Sequence, residues 1–272
     1  AKTAYCAIDG HRSDDFAPRV LMVSGGKWKV VSGDLPAGSP VRVVREDPAN
    51  PDLLYCGTEH GAFVTFDRGK HWLPLGGKSL PTVPVYDLAY QAREKDLVAG
   101  THGRSIWIMD GLGCLPALAA HKEDALKVFT VAGAEPGLYG FRGYGGGNRV
   151  FKGPNPPAGA VIDFWLRDLP DSPVALKITG PDDQEVRALS SPGRPGLNRV
   201  VWDLQADPKH RFADPRKGGP VFVEPGTYKV TVTVGENADS AEFEVRPYPG
   251  YVAPEDKAAL PPVGPGTTSV RE

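Results

Sequence analysis

The sequence predicts an all-β chain, a partial β-propeller of about three four-stranded blades followed by an immunoglobulin- or fibronectin-like β-sandwich. Its apolar runs are short, β-branched and aromatic, as in Val41-Arg42-Val43-Val44 and Ala62-Phe63-Val64-Thr65-Phe66, and they alternate with the two-residue period of half-buried strands. The 33 Gly and 28 Pro, about a fifth of the 272 residues, follow no collagen-like period and so mark frequent tight turns. The first half also repeats itself every 43–50 residues, the length of a four-stranded blade.

The repeats define the elements in order. Leu53-Leu54-Tyr55-Cys56-Gly57-Thr58-Glu59-His60-Gly61 is echoed by Leu97-Val98-Ala99-Gly100-Thr101-His102-Gly103; Gly57 and Gly100 are 43 residues apart, as are Asp67 and Asp110. Upstream, Tyr5-Cys6-Ala7-Ile8-Asp9-Gly10-His11 matches Tyr55-Cys56-Gly57-Thr58-Glu59-His60 at an offset of 50. In the middle blade Val41–Glu46 is expected as the inner strand, with a turn over Asp47-Pro48-Ala49-Asn50-Pro51-Asp52. Leu53–Thr58 and Ala62–Phe66 follow as second and third strands around Glu59-His60-Gly61, and Trp72–Leu75 begins the fourth. Residues 1–131 are thus expected to form the partial propeller. A Gly/Pro-rich connector follows over 132–157, with five glycines between Tyr139 and Asn148. Beyond it, Val161–Leu166, Val174–Ile178, Arg199–Leu204, Gly226–Val234 and Ser240–Val245 read as strands of a sandwich over 158–247, with hairpin turns at Gly180-Pro181-Asp182-Asp183 and Gly235-Glu236-Asn237. Trp165 and Trp202 are expected in its core. Residues 248–272 are a Pro-rich aperiodic tail.

Thr65-Phe66-Asp67-Arg68-Gly69-Lys70-His71-Trp72 satisfies every fixed position of the Asp-box pattern Ser/Thr-x-Asp-x-Gly-x-x-Trp. Asp67 is placed to accept N–H groups of the following turn, Gly69 tolerates positive φ, and Trp72 folds back to bury its ring. Thr65, Asp67, Gly69 and Trp72 are therefore expected to hold a hairpin, not to react. A degenerate copy, Ser24-Gly25-Gly26-Lys27-Trp28, lacks the Asp.

The second constellation is a set of polar turns at matching repeat positions: Asp9-Gly10-His11-Arg12, Glu59-His60-Gly61 and His102-Gly103-Arg104. They join the second and third strands of their blades, whereas the Asp-box joins the third and fourth. Successive turns of a meander alternate ends, so these polar turns gather on the opposite face. Asp9, His11, Arg12, Glu59, His60, His102 and Arg104 are the ligand-binding candidates, with His and Arg as donors and Asp9 and Glu59 as acceptors. The alternative is that they only stabilise turns. The blade repeat accounts for the three histidines without a metal, and no cofactor is expected.

A net charge of −2 gives no electrostatic case for nucleic acid or anionic membrane, and no apolar run approaches the roughly 18 residues of a membrane span. Cys6, Cys56 and Cys114 fit neither a disulfide framework nor a zinc motif; buried or free thiols are expected, with a Cys6–Cys56 bridge as the alternative. Gly-x-Ser-x-Gly, His-Glu-x-x-His and phosphate-binding glycine loops are absent, and Asp14-Asp15, Asp182-Asp183 and Glu236 fall in turns. No catalytic residue is assigned.

With these residues in hand, the chain resembles the C-terminal part of bacterial sialidase-like BNR/Asp-box repeat proteins, whose propeller is related to sortilin-type receptors. The resemblance rests on Asp9-Gly10-His11-Arg12-Ser13-Asp14-Asp15, the Asp-box, Leu80-Pro81-Thr82-Val83-Pro84-Val85-Tyr86-Asp87-Leu88 and Gly100-Thr101-His102-Gly103-Arg104-Ser105-Ile106-Trp107-Ile108. It continues through Asn155-Pro156-Pro157-Ala158-Gly159-Ala160 and Asn198-Arg199-Val200-Val201-Trp202-Asp203-Leu204. It implies a secreted or cell-envelope protein with a non-catalytic binding or scaffold role, toward a protein or glycan. A glycoside hydrolase whose active site needs blades outside this chain is the alternative; the arginine cluster and Tyr/Glu pair of true sialidases do not map onto the sequence. A closed propeller needs four to eight blades, so the remaining blades or another subunit are expected to complete the ring.

Overall fold

The computed structural model describes residues 3–77, 79–136, 156–206 and 222–247. The glycine-rich stretch 139–148 and the tail 248–272 lie outside them. The described chain is all-β and is divided into two units, one formed by Ala1–Thr130 with Asp163–Asp171 and Gly193–Asn198, the other by Val131–Ile162, Ser172–Pro192 and Arg199–Glu272.

In the first unit three antiparallel meanders follow one another in chain order. The first comprises β1 (Thr3–Gly10), β2 (Asp15–Ser24) and β3 (Lys27–Val30); the second β4 (Val41–Glu46), β5 (Leu54–Thr58), β6 (Gly61–Thr65) and β7 (Leu73–Leu75). The third holds β8 (Val85–Gln91), β9 (Asp96–Thr101) and β10 (Ile106–Met109). Only the middle sheet has four strands among the described residues, and its ranges lie within a residue or so of the sequence expectation. After β10 the chain forms the short helix α1 (Leu115–Leu118) instead of a fourth strand; Pro116 sits in its first turn, and Leu115 and Leu118 are buried.

The meanders are held face to face by apolar seams. Val20, Val44, Leu54, Cys56, Phe63 and Trp72 belong to one cluster, drawn from the first two sheets and the segment between them. Val43, Tyr55, Val64, Leu88, Leu97 and Leu115 belong to another, drawn from the second and third sheets and α1. The strand period separates the two: in β4, Val43 faces one cluster and Val44 the other. Each fully buried aliphatic side chain contributes roughly 1.5–3 kcal/mol. Cys56 is a free thiol within the first seam, where burial pushes its pKa up, and Cys6 is a free, exposed thiol; no disulfide joins them. Cys114 is buried in the second cluster.

The turn at 65–72 fastens the first seam. Asp67 Oδ1 accepts the N–H groups of Lys70 and His71, each at 3.0 Å, and the Thr65 hydroxyl at 2.8 Å. Asp67 Oδ2 lies 2.6 Å from the His71 ring. The Gly69 N–H donates to the Thr65 hydroxyl at 2.9 Å. Gly69 has φ 82°, and a Cβ there would stand 2.2 Å from the Val31 carbonyl oxygen, so only glycine fits. Trp72 donates its indole N–H to that same carbonyl at 3.1 Å, and its main-chain N–H donates to Asp34 at 2.6 Å. The degenerate copy behaves differently. Gly25 and Gly26, with φ 56° and 75°, make a two-residue hairpin turn, which leaves Trp28 on β3 64% exposed against 4% for Trp72.

β11 (Leu126–Val128), β12 (Ala160–Leu166) and β15 (Gly196–Trp202) make a three-stranded sheet in the order β11-β12-β15, and the division between the units falls within β12 and β15. Trp165 corrects the sequence reading. It lies on the opposite strand face from Phe164 and Leu166 and packs against the cluster containing Leu88 and Leu97, in the first unit, so it is not sandwich core.

In the second unit, β13 (Val174–Thr179), β14 (Glu185–Ser191), β16 (Gly226–Val234) and β17 (Asn237–Val245) form an antiparallel sheet in the order β14-β13-β16-β17. Val174, Leu176 and Ile178 are buried while Ala175 and Lys177 are exposed, the alternation of a one-sided core. Trp202 fills that core, its ring centroid 5.5 Å from Tyr228 and 6.1 Å from Phe243.

Trp72→Ala should cost about 3–5 kcal/mol and Asp67→Ala about 1–3 kcal/mol in urea unfolding, whereas Trp28→Ala should stay within about 0.5 kcal/mol. Equal losses for both tryptophans would refute the lock. Burial opposes ionisation of Asp67, but the hydrogen bonds from His71, Thr65 and Lys70 outweigh it and lower its pKa to about 2 from 3.8. Its folded pKa is depressed, so its contribution is complete above the ordinary value and is lost as pH falls from about 4 to about 2. Asp67→Asn should flatten the pH dependence of stability in that window.

Candidate functional site

Two bulges aim the side chains of the site. In β4–β5 pairing, Val41 lies opposite Thr58 and Val43 opposite Gly57, so Arg42 is the extra residue. In β8–β9, Val85 lies opposite Thr101 and Asp87 opposite Gly100, so Tyr86 is the extra residue. A bulge re-aims its extra side chain and bends the strand. Both bulges face a turn that hydrogen-bonds back to a proline carbonyl, Glu59 N–H to Pro40 at 3.1 Å and His102 N–H to Pro84 at 2.9 Å. Arg42 and Tyr86 therefore occupy equivalent places in consecutive sheets, and each emerges among the polar turns.

Arg42 is the centre. Only 8% of its side chain is exposed. Its guanidinium donates through Nε and Nη2 to Glu59 Oε2, at 3.2 and 2.5 Å, and through Nη1 to Asp9 Oδ2. Nη1 also lies 3.0 Å from the His11 ring Nδ1, which in turn is 2.7 Å from Asp9 Oδ1. The guanidinium carbon stands 4.8 Å from the Tyr86 ring centroid, a cation–π arrangement. Tyr86 packs against His102 with ring centroids 5.3 Å apart. Asp9 lies near the end of β1, and Glu59 and His102 directly follow β5 and β9, so one position from each of three sheets converges on this pair.

The structure thus brings together Asp9, His11, Glu59 and His102 of the sequence candidates. Arg12, His60 and Arg104 are exposed on the same turns without entering the cluster. Arg104 gives its carbonyl to the Trp107 indole at 2.8 Å, and the His60 N–H donates to the Thr58 hydroxyl at 3.1 Å. Arg42 and Tyr86 were not singled out from sequence. Their signal is a polar or bulky residue just inside a strand, in Pro40-Val41-Arg42 and Pro84-Val85-Tyr86.

The electrostatics follow from this geometry. Partial burial raises the Asp9 carboxyl, but the two His11 hydrogen bonds and the Arg42 charge outweigh it, and the pKa is lowered. Burial works against the charge on Arg42; Glu59 and Asp9 more than offset it and push its pKa up. In the cluster one cation is shared by two carboxylates, both of which are already engaged. Among the described residues no group of three or more His, Cys, Asp or Glu could hold a metal ion, and no helix is long and apolar enough to cross a membrane.

No protein-family profile and no curated protein sequence matches the chain. Among solved structures it is similar to PorZ, named as an essential bacterial surface component of the type-IX secretion system of Porphyromonas gingivalis, with 14% identity and a TM-score of 0.34 over 90% of this chain. It is also similar to the extracellular domains of two proteins named as hybrid two-component systems of B. thetaiotaomicron, at 8% and 9% identity, each with a TM-score of 0.28, over 86% and 84% of this chain. The chain spans 29% of the length of each of these structures.

Arg42→Met should destabilise the chain by about 1–3 kcal/mol, since it removes the cation that two partly buried carboxylates share. It should also raise the Asp9 pKa toward its ordinary value in a carboxyl NMR titration. An unmoved Asp9 titration would show that Arg42 does not hold the cluster.

Proposed function

We propose that the chain is a non-catalytic binding or scaffold module of the cell envelope or exterior. On this reading residues 1–131 are blades of an Asp-box propeller of the sialidase-like, sortilin-related kind, and residues 158–247 an immunoglobulin-like module. The observation that carries it is the commitment of Asp9 and Glu59 to Arg42. A general acid–base pair needs one carboxyl free to exchange a proton with substrate, whereas these two accept from a permanent cation. What remains exposed around them is donor-rich: His60, His102, Arg12 and Arg104. Such a rim suits a ligand that offers acceptors, an acidic or hydroxyl-rich glycan or an acidic protein loop, and the rigid cluster beneath it supplies preorganisation.

The experiment is a glycan array and titration with candidate protein ligands, each run beside the Arg12→Ala/Arg104→Ala double variant. Binding that falls about tenfold or more in the variant, with an unchanged melting temperature, is the expected outcome. Turnover of aryl glycosides by this chain, abolished by Glu59→Gln or Asp9→Asn, would overturn the reading in favour of a glycosidase.

A further inference from the structure

We propose that the Tyr86 ring, flanked by His102 and Glu59, is the seat for one neutral pyranose residue of a glycan. The inference rests on the reading of the chain as a binding module and selects among the ligands that reading admits. Tyr86 is 48% exposed although it lies on a strand, because it is the extra residue of the β8–β9 bulge. The His102 ring packs beside it at 5.3 Å with an interplanar angle of 31°. The turn that carries His102 is braced. Its N–H donates to the Pro84 carbonyl at 2.9 Å, the Thr101 hydroxyl donates to the Ser105 carbonyl at 2.5 Å, and Gly103 takes φ 83°. Two rings on a strand and a braced turn form an aromatic shelf that needs little ordering when a ligand arrives.

The polar groups around the shelf are open. Among the described residues neither the Tyr86 hydroxyl nor a ring nitrogen of His102 makes a hydrogen bond. Arg42 donates twice to Glu59, but both bonds, at 3.2 and 2.5 Å, go to Oε2. Glu59 Oε1 is left without a donor, on a side chain 35% exposed. Glu59 and Tyr86 touch the same guanidinium, whose carbon is 4.8 Å from the Tyr86 ring centroid, so one small molecule can meet both. A carboxylate oxygen accepts, a phenol and an imidazole donate or accept, and an aromatic ring packs on apolar C–H surface. A pyranose matches that set, with C–H faces and hydroxyls around its edge. An acidic protein loop does not. It would bring carboxylates to a centre where two carboxylates already share one cation, and like charges there repel. A sugar seated on Tyr86 leaves the exposed Arg12 and Arg104 to the flanking residues of the glycan.

The probes are methyl β-D-glucopyranoside, methyl β-D-galactopyranoside and methyl α-D-mannopyranoside, each titrated into the full chain and followed by NMR of the tyrosine and histidine rings. Saturable shifts of the Tyr86 and His102 signals with at least one glycoside are expected. Tyr86→Leu and His102→Ala should each weaken that glycoside about tenfold or more. His102 is exposed, so its variant should keep the melting temperature and serves as the test if Tyr86→Leu disturbs the Arg42 cluster. The acidic peptide acetyl-Asp-Glu-Asp-Glu-Asp-Glu-amide should move neither ring signal. Absence of a response to all three glycosides, or a response indifferent to His102→Ala, overturns the proposal. So does an acidic peptide that shifts both rings and is weakened by His102→Ala, since the ligand would then be a protein loop. The Arg12→Ala/Arg104→Ala variant should leave the monosaccharide titration within about threefold. Failure here therefore sinks the sugar seat alone, whereas failure of the glycan array and protein titrations sinks the binding-module reading.

Discussion

A meander of three or four short strands has two faces and too few residues to shield either one. The first unit meets that constraint by stacking such sheets in chain order, so that β4, β5 and β6 of the middle sheet serve two seams through alternate residues. Val43 and Val44 in β4 make the point within a single peptide bond. Everything else in the unit is arranged around keeping the seams closed. The 65–72 turn reaches across to the 31–34 segment, where Gly69 and Gly33 approach opposing carbonyls too closely for any side chain. The hydrogen bonds of Trp72 and Asp34 then fix that approach in one register.

At the opposite end of the strands the same closure is achieved with polar groups. Arg42 lies on β4, and its burial is tolerable only because two carboxylates meet it, Glu59 from its own sheet and Asp9 from the first. The bulge that exposes Arg42 to those partners recurs one sheet later with Tyr86 in its place. The cation–π contact between the two joins the second sheet to the third in the way that Asp9 joins the first to the second. Arg45 adds a further link, with its guanidinium on the Leu88 carbonyl at 2.8 Å and on Asp87 at 2.6 Å. One end of the stack is thus held by a glycine-rich close approach and the other by a charge network.

Much of this was legible in the sequence because local chemistry and period agree there. The strands of the middle sheet have alternating patterns bounded by Pro, Asn, Asp and Gly, and the 65–72 motif carries its own turn instructions. What escaped depends on parity and on pairing. Trp165 reads as core from hydrophobicity alone, but which core it enters is decided by whether it is an odd or even residue of β12. Trp28 follows two glycines much as Trp72 follows a glycine turn, yet a turn shorter by several residues leaves it outside. Arg42 and Tyr86 lie within runs whose apolar neighbours dominate any pattern, and each bulge is visible only once the strands are paired. Residues 115–118 are too few to display a helical period.

Cys6 and Cys56 occupy the same place in their repeats, each directly after a tyrosine in sequences that match at an offset of 50. The fold gives them opposite chemical fates, because a seam closes over the second strand of the middle sheet and leaves Cys6 at the surface. The nucleophilic form of a thiol is the thiolate, and burial suppresses it at Cys56. A repeated residue here is not a repeated reactivity: two copies of one sulfur form a matched pair in which one member can meet oxidants and electrophiles from solution while its twin is shielded from them by packing.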